Sequence, residues 1–277
     1  MISSPFFWTD QLKAFPEVSF KFLKVKLEES ILTLTLARSE KRNAFNQTMA
    51  EEIAFALGYA NLSDAVRCIV IKAEGPVFCA GADLNSFLAS VEATDRQIPE
   101  PISEVNLGDA FAHLYKPSIA QVEGPVYAGG FLILTGTTLA YCVPTASFSL
   151  PEVKRGIWPM QVMASLLPVV PRRKVLEMCI TGQPYGAEAA LEMGLVSGVF
   201  PPGEIDEKVN KIAALITKNA PLAISRGMKT LQTLEHYSGR SPYRFLQEEL
   251  HLLLRSEDAR EGIISFQEKR EPVWKNR

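Results

Sequence analysis

The chain has 277 residues, 47% hydrophobic and 22% charged, with a formal net charge of −2. That much apolar material excludes disorder as the main state, and the charge balance lacks the basic excess that marks nucleic-acid or anionic-membrane binding. Cys68, Cys79, Cys142 and Cys179 form no CxxC pair, which excludes a zinc ribbon or thioredoxin-like site and reads as buried thiols in a reducing compartment.

Residues 1–20 mix aromatic and polar side chains, and Asp10, Lys13 and Glu17 interrupt any apolar run. They read as an extension or short docking segment, not a secretory leader. No charge-free apolar stretch reaches the ~18 residues of a membrane span, so the expected location is cytoplasmic. Ile31–Leu36 alternates like a strand. A polar loop, Ser39–Asn46, follows, with Asn46 as N-cap of a helix carrying Met49, Ile53, Ala56, Leu57 and Ala60 at helical spacing. Cys68–Ile71 reads as a short buried strand, broken by Glu74-Gly75-Pro76. Phe78–Phe87 is a small-residue loop entering a helix. Residues 89–106 are polar, hold two prolines, and read as the most mobile segment.

Ser118–Val122, Ala140–Val143 and Ser147–Leu150 are further strands, the last ended by Pro151, with Gly124, Gly129 and Gly130 punctuating a turn between them. Helices are predicted at Arg173–Cys179, Ala187–Met193 (stopped by Gly194), Glu204–Lys218, Pro221–Leu234, Tyr243–Leu254 and Asp258–Lys269. Strands and helices alternate to about residue 200, and the remainder is helical. The pattern predicts an α/β core with a helical C-terminal layer.

The chain lacks GxxxxGK[ST], GxGxxG, GxSxG and HExxH, and His113, His236 and His251 are far apart. A metal site or serine triad is unsupported, and no metal is expected. Three segments carry chemistry instead. Phe78-Cys79-Ala80-Gly81-Ala82-Asp83-Leu84 follows a strand, and small residues there let a ligand approach the backbone. Alone, it reads equally as an empty tight turn. Val122-Glu123-Gly124-Pro125-Val126-Tyr127-Ala128-Gly129-Gly130-Phe131-Leu132 is a second such turn. Two such turns could aim two N–H groups at one oxygen, an oxyanion hole; glycines for close packing are the alternative. In Phe148-Ser149-Leu150-Pro151-Glu152-Val153, a carboxylate follows strand and proline. It reads as a positioned base or as a solvated partner of Lys154 or Arg155.

In this order and spacing the three segments resemble the crotonase family of enoyl-CoA hydratases and isomerases. Arg38-Ser39-Glu40-Lys41-Arg42-Asn43-Ala44-Phe45-Asn46 resembles the family's early CoA-binding loop. Ser256–Ile263, through Phe266, Glu268-Lys269-Arg270 and Pro272, resembles its C-terminal helix. The resemblance implies a spiral of ββα turns with two nearly perpendicular sheets (residues 21–200), then a helical trimerisation region (201–277), behind an extension at 1–20. It implies a homotrimer or dimer of trimers. It makes the N–H groups of Ala82 and Gly129 the oxyanion hole for a thioester carbonyl. Ala80, Gly81, Asp83 and Leu84 would line the adenine and pantetheine path. Lys41 or Arg42 would approach the CoA phosphates beside Ala44, and Phe266 and Lys269 would close the CoA site. No cofactor is implied beyond the coenzyme A of the acyl-CoA substrate, and no nucleic-acid or membrane partner.

The family's two-carboxylate hydratases carry one glutamate at the position of Leu132 and the other at that of Glu152. With one carboxylate replaced, the pattern resembles the 3,2-enoyl-CoA isomerases, with Glu152 as single acid and base. A one-glutamate hydratase of methylglutaconyl-CoA-like type, a short acyl-thioester decarboxylase and a non-catalytic binding subunit are the alternatives. Glu152 is expected partly buried among Leu150, Val153 and Ile157, with a raised pKa. Trp158, Pro159, Met160 and Met163 are expected to reshape the acyl pocket.

Overall fold

A computed structural model describes residues 4–83, 96–235, 237–239 and 241–277. Strands β1 (Leu23–Glu28) and β2 (Ile31–Leu36) form an antiparallel hairpin in which Glu28 pairs with Ile31. The two residues between them, Glu29 and Ser30, have φ of 48° and 64°. This is the backbone of a tight turn whose twist matches the strands, built without the glycine that usually marks it. Helix α1 (Thr9–Lys13) precedes the hairpin, and α2 (Gln47–Leu62) crosses from β2 to β3 (Cys68–Ala73), which runs parallel to β2. Asn46 caps α2 as expected: its Oδ1 accepts the Met49 N–H at 3.0 Å.

The large sheet continues through α3 (Leu107–Ala112), β4 (Ser118–Val122), β6 (Leu139–Cys142) and β9 (Gly198–Val199), in the order β1-β2-β3-β4-β6-β9. All pairs after the hairpin are parallel. A second sheet contains β5 (Val126–Tyr127), β7 (Ser147–Ser149) and β8 (Tyr185–Gly186), with β7 central. Helices α4 (Phe131–Gly136), α5 (Met160–Leu166), α6 (Arg172–Thr181) and α7 (Ala187–Glu192) connect these strands. The C-terminal layer is α8 (Ile205–Thr217), α9 (Pro221–Glu235), α10 (Pro242–Leu254) and α11 (Glu257–Glu268). The tail returns to the core: Asp258 accepts the Lys275 and Asn276 N–H groups, and the Trp274 indole donates to the Lys218 carbonyl at 2.7 Å. Among the described residues no helix is long and apolar enough to cross a membrane. All four cysteines are free and buried.

The first residues dock into the core. Phe6, Phe7, Leu12 and Phe15 are buried. Phe7 meets Phe55 edge-on at 5.0 Å, and Phe15 stacks on Tyr59 at 3.9 Å. α2 is consequently buried almost all round, including Glu51 and Glu52, which the apolar spacing alone does not reveal. Glu52 accepts the N–H groups of Lys21 and Phe22 at 2.6 and 2.9 Å. Burial pushes its pKa up, and these two bonds oppose that shift. Removing the Phe7 ring leaves a cavity against Phe55. Phe7→Ala is therefore expected to cost about 3–5 kcal/mol, read as a lowered midpoint in urea unfolding at unchanged slope.

Candidate active site

Three short segments run in the same direction, side by side. β5 and β7 are parallel, with Val126 opposite Phe148 and Tyr127 opposite Ser149. Cys79 bridges Val126, also in parallel. Parallel neighbours end on the same edge. The chain therefore leaves this edge at Ala80–Ala82, at Ala128–Gly129 and at Leu150–Glu152. These are the three segments singled out in the sequence.

The first two turns touch. A methyl group placed on Gly129 would lie 3.2 Å from the Ala82 nitrogen, and one on Gly81 would lie 2.9 Å from the Gly129 nitrogen. Gly81 has φ of 95°, so only glycine suits both its conformation and its space. A methyl on Gly130 would lie 2.7 Å from the Cys79 carbonyl oxygen. Ala128, a non-glycine, is held at φ of 50°, a costly conformation of the kind found at functional sites. Gly129 lies in the first turn of the 3-10 helix Ala128–Gly130, where N–H groups have no acceptor within the helix. Ala82 bridges Phe45 through Phe45 N–H to Gly81 O and Asp83 N–H to Phe45 O, both 2.9 Å, so the pairing does not draw on the Ala82 N–H. Two adjacent amides are thus outside the backbone ladders of their own turns.

Glu152 sits in the 3-10 turn Pro151–Arg155, which Pro151 opens and Gly156 closes at φ of 74°. It is only 7% exposed. Its Oε2 is, among the described residues, the one buried side-chain polar atom without a hydrogen-bond partner. Burial raises its pKa above the ordinary value, against the pull of its own backbone N–H and of Arg155. The expected surroundings need correction. Leu150 is buried, but Val153 and Ile157 are 36% and 50% exposed. A 3-10 turn advances about three residues per revolution and carries these neighbours outward. α6 packs against the turn instead. The Glu152 charge, after burial itself, helps push the Cys179 thiol up to about 11. Leu132, on α4, is 3% exposed. α4 packs against α5, the helix that follows Trp158 and Pro159 and carries Met160 and Met163. Trp158 and Met163 pack against the core, while Met160 is 67% exposed.

The loop 38–46 lies on the first turn. Arg42 O accepts the Ala80 N–H at 3.0 Å, and Lys41 and Arg42 expose their side chains beside Ala44. Asp83 pairs with Arg38 at 2.9 Å. Leu84, and the helix expected after it, lie outside the described residues. So does the first part of the 89–106 loop; its described part buries Ile98 and Val105 and pairs Arg96 with Glu51 at 2.6 Å. Phe266, 84% exposed, and Lys269, at φ of 54°, sit on the C-terminal layer, and none of their hydrogen bonds reaches the three segments. Sequence reasoning missed Arg38 and Phe45 as site-building residues. Phe45 brackets Ala82 through its backbone and places its ring 3.0 Å from the point a Gly129 methyl would occupy. No cluster of metal-ligating side chains occurs among the described residues.

The comparisons agree with this geometry. The profile of the enoyl-CoA hydratase/isomerase family matches residues 26–277. A carnitinyl-CoA dehydratase of Escherichia coli K12 is 35% identical over 256 residues, covering 90% of this chain and 96% of its own. An enoyl-CoA hydratase of Mycobacterium tuberculosis is 31% identical over 254 residues, covering 89% and 93%. Among solved structures, a probable enoyl-CoA hydratase/isomerase from Mycobacterium abscessus superposes with a TM-score of 0.84 at 27% identity, covering 94% of this chain and all of the other. Human enoyl coenzyme A hydratase domain-containing protein 3 gives 0.82 at 28%, covering 92% and 100%. The chain belongs to the enoyl-CoA hydratase/isomerase family, and its fold is the crotonase fold.

A base must be ionised to take a proton, so if Glu152 serves as the base, activity falls as pH drops through its pKa. With that pKa raised, the acid limb of the kcat/KM profile is expected to have its midpoint above the ordinary glutamate value of 4.5. A midpoint at or below 4.5 would contradict the assignment.

Proposed function

We propose that the protein transfers a proton within an acyl-CoA thioester, through an enolate held by the Ala82 and Gly129 amides, with Glu152 as single acid and base. The unpartnered, buried Oε2 of Glu152, on the same sheet edge as the two amides, carries this reading. Glu152 takes a proton from the carbon next to the thioester carbonyl. Charge then develops on the carbonyl oxygen, where each fixed donor supplies ~3 kcal/mol. In this reading Lys41, Arg42, Ala44, Ala80 and Gly81 hold the CoA portion, whose remote contacts supply positioning energy. Glu152→Gln is expected to lose about 10²–10⁴-fold in turnover with CoA affinity kept. Near-normal turnover in the folded variant would overturn the assignment.

Leu132 selects among the net reactions. Its apolar side chain places no second carboxylate on an attacking water, so the proton returns to another carbon and the double bond moves: a 3,2-enoyl-CoA isomerisation. A second reading is supported by the relatives, which are named as a dehydratase and a hydratase. In it, Glu152 removes the same proton and delivers it to the β-hydroxyl oxygen as the C–O bond breaks, so that water leaves. Supplying 3-enoyl-CoA, 2-enoyl-CoA and 3-hydroxyacyl-CoA, and identifying the products, separates the two. Isomer formation without hydration supports the first; efficient interconversion of the 2-enoyl and 3-hydroxy thioesters supports the second. Leu132→Glu is expected to raise the hydration-to-isomerisation ratio, at a stability cost of about 1–3 kcal/mol if the new carboxyl stays unpaired. A folded, CoA-binding variant with an unchanged ratio would show that Leu132 does not set the reaction.

The proposed assembly is a trimer or a dimer of trimers. Leu231, Leu250, Leu254, Ile263 and Phe266 of the C-terminal layer are more than half exposed, and so much apolar surface on neighbouring helices calls for a partner. Light scattering is expected to give three or six times the chain mass. A mass near 30.6 kDa would contradict it.

A further inference from the structure

We infer that Arg38 is a positioning residue: its buried guanidinium ties the loop before Phe45 to the residue after Ala82 and thereby aims the Ala82 N–H. The inference rests on the oxyanion reading of Ala82 and Gly129.

Arg38 is a charged side chain with only 10% of its surface exposed. One nitrogen donates to the Ala44 carbonyl at 2.6 Å, and another meets the Asp83 carboxylate at 2.9 Å. The guanidinium lies over the Phe22 ring, 5.2 Å from its centroid. Its own backbone is fixed as well: the Arg38 N–H donates to Asn43 Oδ1 at 2.9 Å, and Arg38 O accepts the Asn43 N–H at 2.9 Å. Asn43 is fully buried, and its amide donates to the Glu74 and Val77 carbonyls. The arginine is therefore anchored to the frame of the large sheet.

What it holds is the peptide that matters. Ala44 precedes Phe45, whose N–H and C=O bracket Ala82 from both sides. Asp83 follows Ala82 directly. Arg38 thus grips both strands of the bridge, one residue away from the paired residues on each. The Ala44 carbonyl that Arg38 holds shares a peptide plane with the Phe45 N–H, which donates to Gly81 O; Gly81 O in turn shares its plane with the Ala82 N–H, so a shift at Ala44 tilts that donor. A hydrogen-bond donor loses strength steeply with misalignment, and a donor aimed at developing charge acts only if it is fixed beforehand. The planar fork of arginine reaches two acceptors at set angles, which a lysine ammonium does not reproduce. Two of its three nitrogens are engaged inside the protein and the group is buried, an arrangement that suits positioning.

The test uses the full-length protein and a CoA thioester of a dialkylamino-cinnamic acid, whose absorption moves to the red when its carbonyl oxygen is polarised. Wild type is expected to shift the bound probe. Arg38→Met is expected to lose at least half of the shift and about 10–100-fold in kcat, with the Kd for free CoA within threefold of wild type. Arg38→Lys is expected to restore little of either. Asp83→Asn, which keeps the side-chain shape and removes the ion pair, is expected to fall between and decides the question if the Arg38 variants do not fold. An unchanged red shift in folded Arg38→Met, or in Asp83→Asn when only that variant folds, overturns the inference. So does a loss of CoA affinity with the red shift intact, which would make Arg38 a binding residue. A wild type that binds CoA but leaves the probe unshifted overturns the oxyanion reading itself, and this inference with it.

Discussion

The candidate site depends on three parallel backbone segments held in register: Cys79, Val126–Tyr127 and Phe148–Ser149. Each contributes one functional turn because all three leave the sheet at one edge. Register matters more here than side-chain chemistry. Two of the three turns present only backbone, so a slip of one residue could put Asp83, whose N–H already donates to Phe45 O, in the place of Ala82. The close fit between the turns enforces the register. Gly81 presses on Ala128 and Gly129, and Gly130 presses on Cys79, with no space for a methyl group at either glycine. The left-handed backbone at Ala128 is the local cost of that fit.

The electrostatics follow from the same placement. In the proposed reading the two amide donors favour negative charge at one spot, and a proton must come and go beside it. Glu152 meets the second need because it is buried with one oxygen unpartnered. A solvated carboxylate is a weak base toward a carbon acid; a desolvated one has its pKa raised, which strengthens it as a base and leaves it able to return the proton. Leu132, on the helix that begins directly after Gly130, is buried and adds no second charge. In the proposed reading, one carboxylate, two amides and the 38–46 loop form an enolate machine whose net reaction is decided by what else reaches the substrate.

Much of this was legible in the residues. The alternation of Ile31–Leu36, the apolar spacing within 48–60, the Asn46 cap and the Gly194 stop each appear where the local chemistry puts them. β1 was missed although Leu23–Glu28 alternates strictly between apolar and polar residues; its turn, Glu29-Ser30, lacks the glycine or asparagine that marks a hairpin. β8 and β9 span two residues each and have no period to read. The docking of residues 6–15 was half legible, since the aromatic residues were visible but their partners on α2 were not. The burial of Glu152 was readable, but its neighbours were not, because the 3-10 turn sends Val153 and Ile157 outward. Arg38 was invisible as a structural residue. Its partners lie 6 and 45 positions away, and no spacing rule links them.

Exchange of the protons next to the thioester carbonyl tests the account most directly, because it reads enolate formation whatever the net reaction. A saturated acyl-CoA is incubated with the protein in D₂O and followed by mass spectrometry. The account predicts incorporation of deuterium at that carbon by wild type, abolished by Glu152→Gln and preserved when Leu132 is replaced by another apolar residue. Exchange at wild-type rate in the folded Glu152→Gln protein would contradict it.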